Sequence, residues 1–243
     1  MKNLQHRYFE DYNKNKPLLP GMDVSWLKDL REEAICQFKK DGFPDRSVEE
    51  WNNYSYKALT DNYFEPLSDN KVKINLKSLE EKDSHCTIRV IFFNGKIVNI
   101  EYNHLPEGVE VNTLTYFFKN NPGFLKNKIS TANRYSEERL SNIIDSRPQS
   151  IVAFNTAFHH EGAVIYIKKN VKVPGYIELL HLGEYNKNIM QHMRSVVYLE
   201  EGSNCEVLEN IVNDKASDLV FTSNVTDIHV CDDASLSFHR FIK

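Results

Sequence analysis

Glycine is scarce in this chain, nine in 243 residues, and none falls into a G-x-x-x-x-G-K-[ST] or G-x-G-x-x-G pattern. A phosphate cradle needs backbone amides brought close by glycine, so nucleotide hydrolysis is not expected of this chain itself. No Gly-x-Ser-x-Gly elbow occurs, which removes the nucleophile geometry of a serine hydrolase. Cysteines are few, Cys36, Cys86, Cys205 and Cys231, and none pair at CxxC spacing. Such usage suits a reducing compartment better than a disulfide framework. Basic excess is also lacking: 30 Lys and Arg stand against 34 Asp and Glu, for a net charge of -4. Nothing in that balance attracts nucleic acid or an anionic membrane. No apolar run approaches the ~18 residues of a membrane span, and the N-terminus lacks the apolar core of a signal peptide. A soluble, cytoplasmic protein is expected, with neither nucleic acid nor membrane as partner.

What the chain does have is a repeat in its last third, 163–242. Val197 and Leu199 precede the turn-like Glu200-Glu201-Gly202-Ser203-Asn204, and Cys205, Val207 and Ile211 resume the same odd-numbered parity. Thirty-one residues on, Ile228 and Val230 precede a second turn, and Leu236, Phe238 and Ile242 follow. Thirty-two residues back, Ile165 and Ile167 lead to Val173, Ile177 and Leu179, with Pro174-Gly175 interrupting the copy. Period-2 alternation marks strands, and a repeated strand-turn-strand unit implies stacked coils around one continuous core.

The first 150 residues read differently. Leu4, Tyr8 and Tyr12 share one stripe of a short amphipathic helix ended by Pro17 and Pro20-Gly21. A stronger helix follows from Asp23, its expected N-cap, carrying Trp26, Leu27, Leu30, Ala34 and Phe38. Lys39-Lys40 suit its negative end, and Gly42-Phe43-Pro44 predict a Schellman closure with Phe43 folded back onto Phe38. Ser47-Val48-Glu49-Glu50 reads as a capping box opening a helix with Trp51. Val72, Ile74 and Leu76 alternate, and the run from Cys86 meets 96–100 across Asn94-Gly95, the signature of a type I′ hairpin. Helices are expected at 114–118 and 136–144, with Asn121-Pro122-Gly123 as a loop between them.

These residues carry a resemblance. The order Trp26-Leu27, Leu30-Arg31-Glu32-Glu33-Ala34, Phe38, Gly42-Phe43-Pro44, Arg46, Glu50-Trp51 and Tyr54 resembles the N-terminal signature of SufD-type iron-sulfur cluster assembly proteins, within the SufB/SufD family. Asn52-Asn53 departs from the Lys-Tyr usual after the tryptophan. Ala153-Phe154-Asn155-Thr156-Ala157, with Gly162 and the strand after it, is similar to the Ala-Leu-Asn-x-Ala and Asp-Gly text of that family. Phe154 replaces its leucine and Glu161 its aspartate. Further blocks at 197–203 and 221–224 extend the likeness.

The resemblance implies an α+β fold: a helical and small-sheet domain over 1–150, then the first coils of a right-handed parallel β-helix over 151–243, incomplete at the C-terminus. It implies a scaffold subunit of the SUF complex, not an enzyme, pairing with SufB and working with the SufC ATPase. The later coils and the SufC-docking helical segment of the family have no counterpart before Lys243, so a truncated or short form is expected, one that completes its helix with another chain or a second copy of itself. No cofactor is expected on this chain alone, since the iron-sulfur cluster is implied only for the assembled complex.

No catalytic residue is assigned from sequence. His159-His160-Glu161 comes nearest to a metal motif, with His181, His192, His229, His239, Cys205 and Cys231 downstream, but zinc needs three or four ligands at short spacing and HExxH is missing. Cys205 aligns with Leu236 at a core position and reads as a small buried hydrophobe. Cys231 aligns with Glu200 in a turn and is expected to be exposed. A different reading is a β-helix that acts on carbohydrate, with Tyr166, Tyr176 and Tyr198 lining a groove and Glu200, Glu201, Glu206 or Glu209 as paired acids. A third is a structural interaction module with no Suf role.

Overall fold

The computed structural model describes residues 2–44, 57–66, 83–129, 149–183, 188–213 and 219–242. The helix expected around Trp51, the alternating Val72 to Leu76 and the helix over 136–144 lie outside the described residues.

Helix α1 (Lys2–Asn15) buries Tyr8 and Tyr12, one turn apart, and runs into a short 3-10 turn, Lys16–Leu18, that takes Pro17 near its start. Helix α2 (Ser25–Asp41) buries Leu27, Arg31, Ala34, Ile35 and Phe38, the stripe its period demands. Its start differs from expectation. Asp23 does not cap it; the chain enters through an extended Val24, whose carbonyl accepts from the amides of Leu27 and Lys28 at 3.0 Å. Its end keeps the glycine but not the full Schellman pair. Gly42 has φ 73° and donates to the Phe38 carbonyl at 2.7 Å, but ψ of -166° takes it out of the left-handed helical region. Phe43 still folds back, its ring 5.0 Å from that of Phe38.

The remaining described helices are α3 (Lys57–Asp61), α4 (Leu114–Asn120), α5 (Pro122–Leu125) and α6 (Ser150–Phe158). The Thr113 hydroxyl caps α4 by accepting from the Tyr116 amide at 2.9 Å. Asn121-Pro122-Gly123, expected as a loop, instead opens α5, because proline at the first helical position gives up an amide that would have had no partner there.

Among the described residues ten strands make two five-stranded sheets, giving a mixed α/β architecture. In the first, β5 (Ala163–Ile167), β7 (Ile189–Leu199) and β9 (Val220–Val230) pair in parallel, β4 (Val109–Thr113) adds antiparallel to β5, and the two-residue β1 (Glu65–Pro66) pairs with β7. In the second, β6 (Tyr176–Gly183), β8 (Asn204–Asn213) and β10 (Ser235–Ile242) pair in parallel, with β2 (Cys86–Phe93) beside β6 and β3 (Lys96–Tyr102) antiparallel to β2. Consecutive strands from β5 to β10 therefore alternate between sheets. The hairpin and β4 hydrogen-bond to repeat strands, so both sheets cross residue 150.

Register follows the sequence copies closely. Cys205 sits opposite Leu236 and Val197 opposite Ile228 at an offset of 31, and Ile165 opposite Val197 at 32. In the earliest copy the offset changes: Lys172 pairs with Asn204, whereas Ile177 pairs with Val207 and Leu179 with Glu209. Two extra residues are absorbed at Pro174-Gly175, with Gly175 at φ 64°. A shift of two preserves facing, so the inward set survives. Asn94 (φ 46°) and Gly95 (φ 76°) form the expected I′ turn.

Among the described residues three apolar clusters hold these layers. One joins the inner faces of the sheets through Ile88, Val90, Ile165, Ile177, Leu179, Val197 and Val207. A second packs α1, α2 and α6 on the outer face of β7 and β9, with Phe154 ringed by Tyr8, Phe38, Phe43, Phe158 and Phe221 at 4.4 to 5.8 Å. The third places α4 and α5 over Val164 and Val196. Trp26, half-buried, anchors there against Phe118. No described helix is long and apolar enough to cross a membrane.

Candidate functional site

The residues of the two N-terminal sequence blocks meet in space around the end of α6. Arg31 is fully buried on the apolar stripe of α2 and has its guanidinium at the C-terminus of α6. Its Nη1 donates to the Ala157 carbonyl at 2.8 Å and its Nη2 to Pro20 at 3.1 Å. A helix ends with unpaired carbonyls and partial negative charge, so a cation there is doubly matched. Burial pushes the guanidinium down to about 9, which leaves it charged at neutral pH. His159 lies against it, Nε2 3.1 Å from Arg31 Nη2 and Nδ1 2.9 Å from the Thr156 carbonyl. That geometry assigns the proton to Nδ1 and the acceptor role to Nε2. Burial, then the charges of Arg31 and Arg194, hold His159 well below the usual imidazole range.

Helix α6 is fastened to the first sheet by polar contacts too. Asn155 Nδ2 donates to the carbonyls of Met193 and Ser223, at 3.0 and 2.9 Å. Arg194 grips Asp227 with two bonds, 2.7 and 3.2 Å, and reaches Thr156 Oγ1 at 2.6 Å, all buried. Beside them Gly162 runs so close to β7 that a Cβ would lie 1.7 Å from the Arg194 carbonyl oxygen. Only glycine fits that approach.

Next to this anchor opens a cleft of 430 Å³ between the 3-10 turn, the β2–β3 hairpin and β7. Leu18, Leu19, Phe158 and Met190 give its lining apolar surface, and Lys96, Thr115, His160, Glu161 and His192 bring polar groups to it. Glu161 Oε1 accepts from the Gly162 amide at 3.1 Å and from Thr115 Oγ1 at 3.4 Å. Burial pushes its carboxyl up to about 7, against the lowering by these bonds and by Lys96. His160 Nε2 lies 2.9 Å from the Gly95 carbonyl. His192 is 1% exposed, and neither ring nitrogen has a hydrogen-bond partner among the described residues. Burial, reinforced by His160, keeps it neutral.

The His159-His160-Glu161 run is thus split, His159 under Arg31 and the other two in the cleft. The downstream candidates do not gather there. His181 is 3.1 Å from Glu209 Oε1, outside hydrogen-bond angles, and stacks on Phe92. Burial would raise Glu209, but His181 and Arg240 (2.6 Å) hold it below the carboxylate norm. His229 pairs with the Lys128 carbonyl at 2.8 Å, and His239 faces Glu206 at 3.9 Å on the surface. Cys205 is core, its thiol pushed up to about 12 by burial. Cys231 is half-buried, not open, with Sγ 3.5 Å from Tyr198 Oη. Among the described residues no three His, Cys, Asp or Glu side chains are placed to hold a metal ion.

The carbohydrate constellation does not assemble. Tyr166 and Tyr198 are neighbours, ring centroids 5.8 Å apart, but Tyr176 belongs to the other sheet. Glu200 accepts from Tyr166 and Lys169, Glu201 pairs with Lys169 at 2.8 Å, and Glu209 is buried. Lys96, Thr115, Arg194 and Asp227 were invisible as site residues beforehand. Arg31 had a signal, a cation on a stripe otherwise made of Leu27, Ala34 and Phe38. Arg194 and Asp227 are 33 residues apart, off the repeat offset that would have paired them.

Residues 2–179 match the sequence model of the SufBD protein N-terminal region. Comparison with curated proteins returns no match.

Proposed function

The chain belongs to the SufB/SufD family of iron-sulfur cluster assembly proteins, and from that premise we propose that it is a SufD-type scaffold subunit, pairing with SufB and working with the SufC ATPase in the cytoplasm. The observation that carries this reading is the meeting of Arg31 with the Ala157 carbonyl, 126 residues apart in sequence. It joins the Leu-Arg-x-x-Ala helix to the Ala-x-Asn-x-Ala helix through residues that both blocks of the resemblance contain.

In this reading the alternating strands are the opening coils of a right-handed parallel β-helix. Support comes from three successive strands in each sheet pairing in parallel with offsets near 31, and from the strong bias of parallel crossovers toward the right hand. Stacked coils supply long rigid faces for a partner subunit, which suits positioning and not turnover. The chain acts by binding; ATP chemistry is left to SufC, and the cluster is cargo of the assembled complex. Affinity capture with SufB and SufC offered separately tests this. Recovery of SufB with the chain supports it, and failure to recover SufB by a folded chain overturns it.

A further inference from the structure

We propose that the cleft beside α6 binds a small monocarboxylate with a short apolar tail, its carboxylate held among Lys96, Glu161 and His192 and its tail against Leu19 and Met190. The site does not depend on the scaffold reading. Its first support is His192, a buried imidazole with a donor and an acceptor that no described residue satisfies. Such an orphan is costly in a folded chain, and a ligand oxygen brought to the ring relieves the donor. Its second is the composition of the lining, to which the Lys96 cation and the Glu161 carboxyl both belong. A carboxyl and a carboxylate share a proton when brought together, one as donor and one as acceptor. Its third is shape: 430 Å³ with apolar surface in its lining is the small end of the range that ligand clefts occupy.

Other ligand classes fit less well. A divalent cation would need three convergent ligands, which the described residues do not supply. An amine would meet Lys96. The polar groups that line the cleft with Glu161 are Lys96 from the hairpin, Thr115 from α4, His160 from the end of α6 and His192 from β7, with Thr115 bonded to it. With its carboxyl at about 7, Glu161 can supply the shared proton near neutrality.

Calorimetric titration of the full chain with sodium hexanoate, hexylamine and hexanol, at pH 6 and pH 8, tests the site. Hexanoate is expected to bind saturably at one site and up to about tenfold more tightly at pH 6, as Glu161 gains its proton. His192→Phe should keep or raise the melting temperature among its aromatic neighbours and weaken hexanoate about tenfold. Glu161→Gln, which has no proton to gain between pH 6 and pH 8, should abolish the pH dependence. Absence of hexanoate binding, preference for hexylamine or hexanol, unchanged binding by His192→Phe, or an unchanged pH profile in Glu161→Gln would each overturn the proposal.

Discussion

Replacing Arg31 by methionine keeps most of the side-chain volume and removes every hydrogen bond the guanidinium makes. Left behind are the Ala157 and Pro20 carbonyls, now 2.8 and 3.1 Å from nothing polar, and a His159 Nε2 without its donor. Each orphaned buried acceptor costs about 1–3 kcal/mol. Against that, the substitution removes a buried cation that no carboxylate among the described residues neutralises, a gain that offsets part of the loss. The net expectation is destabilisation of about 2–3 kcal/mol for Arg31→Met and about 3–5 kcal/mol for Arg31→Ala, which adds a cavity. At this chain length that lowers the melting temperature by roughly 5–10 °C for the methionine variant. Urea unfolding followed by far-UV circular dichroism measures it, with an unchanged m-value confirming that the same surface is exposed. A neutral or stabilised Arg31→Met would refute the reasoning, because it would mean that the desolvation of the guanidinium outweighs its role as the cap of α6.

Other consequences are as direct. Gly162→Ala should prevent folding or cost more than about 3 kcal/mol, since the clash is with backbone and neither partner can rotate away; soluble yield and thermal melting report it. Native-state thiol labelling should modify exposed Cys36 quickly and Cys205 only on unfolding. Stability should rise from pH 5 and level off near pH 7. Glu161 has a folded value raised to about 7, so its stabilisation is fully present below the usual carboxylate range and is lost as pH rises through 7. His159 and His192 have folded values depressed by burial, so theirs is present above about 6.5 and lost as pH falls and the unfolded imidazoles protonate. Urea midpoints from pH 5 to 8 show the rise and the plateau, and Glu161→Gln should steepen the rise, because the one contribution that opposes the two histidines is gone.

The parts of this fold that were legible in sequence are those fixed by local chemistry. Asn94-Gly95 dictates its own turn, and the alternating apolar positions from Val197 to Ile242 dictate register, down to Cys205 beside Leu236. Gly42-Phe43 marked a helix end through positive φ and aromatic fold-back, although the second Schellman bond did not form. Asp23 misled because an extended Val24 carbonyl took over the capping. What local chemistry cannot encode is which distant segment completes a sheet. Nothing in Cys86–Phe93 points to Tyr176–Gly183, and the cleft is drawn from seven separate elements. Glu161 and His160 were visible as candidates, yet their neighbours Lys96 and Thr115 are polar residues of ordinary type, brought there by the hairpin and α4.

The central claim is that this chain is a scaffold that works by holding SufB. The tagged chain, shown folded by circular dichroism, should recover purified SufB in a stoichiometric complex on size exclusion. Separate elution of the two proteins at micromolar concentration would contradict it.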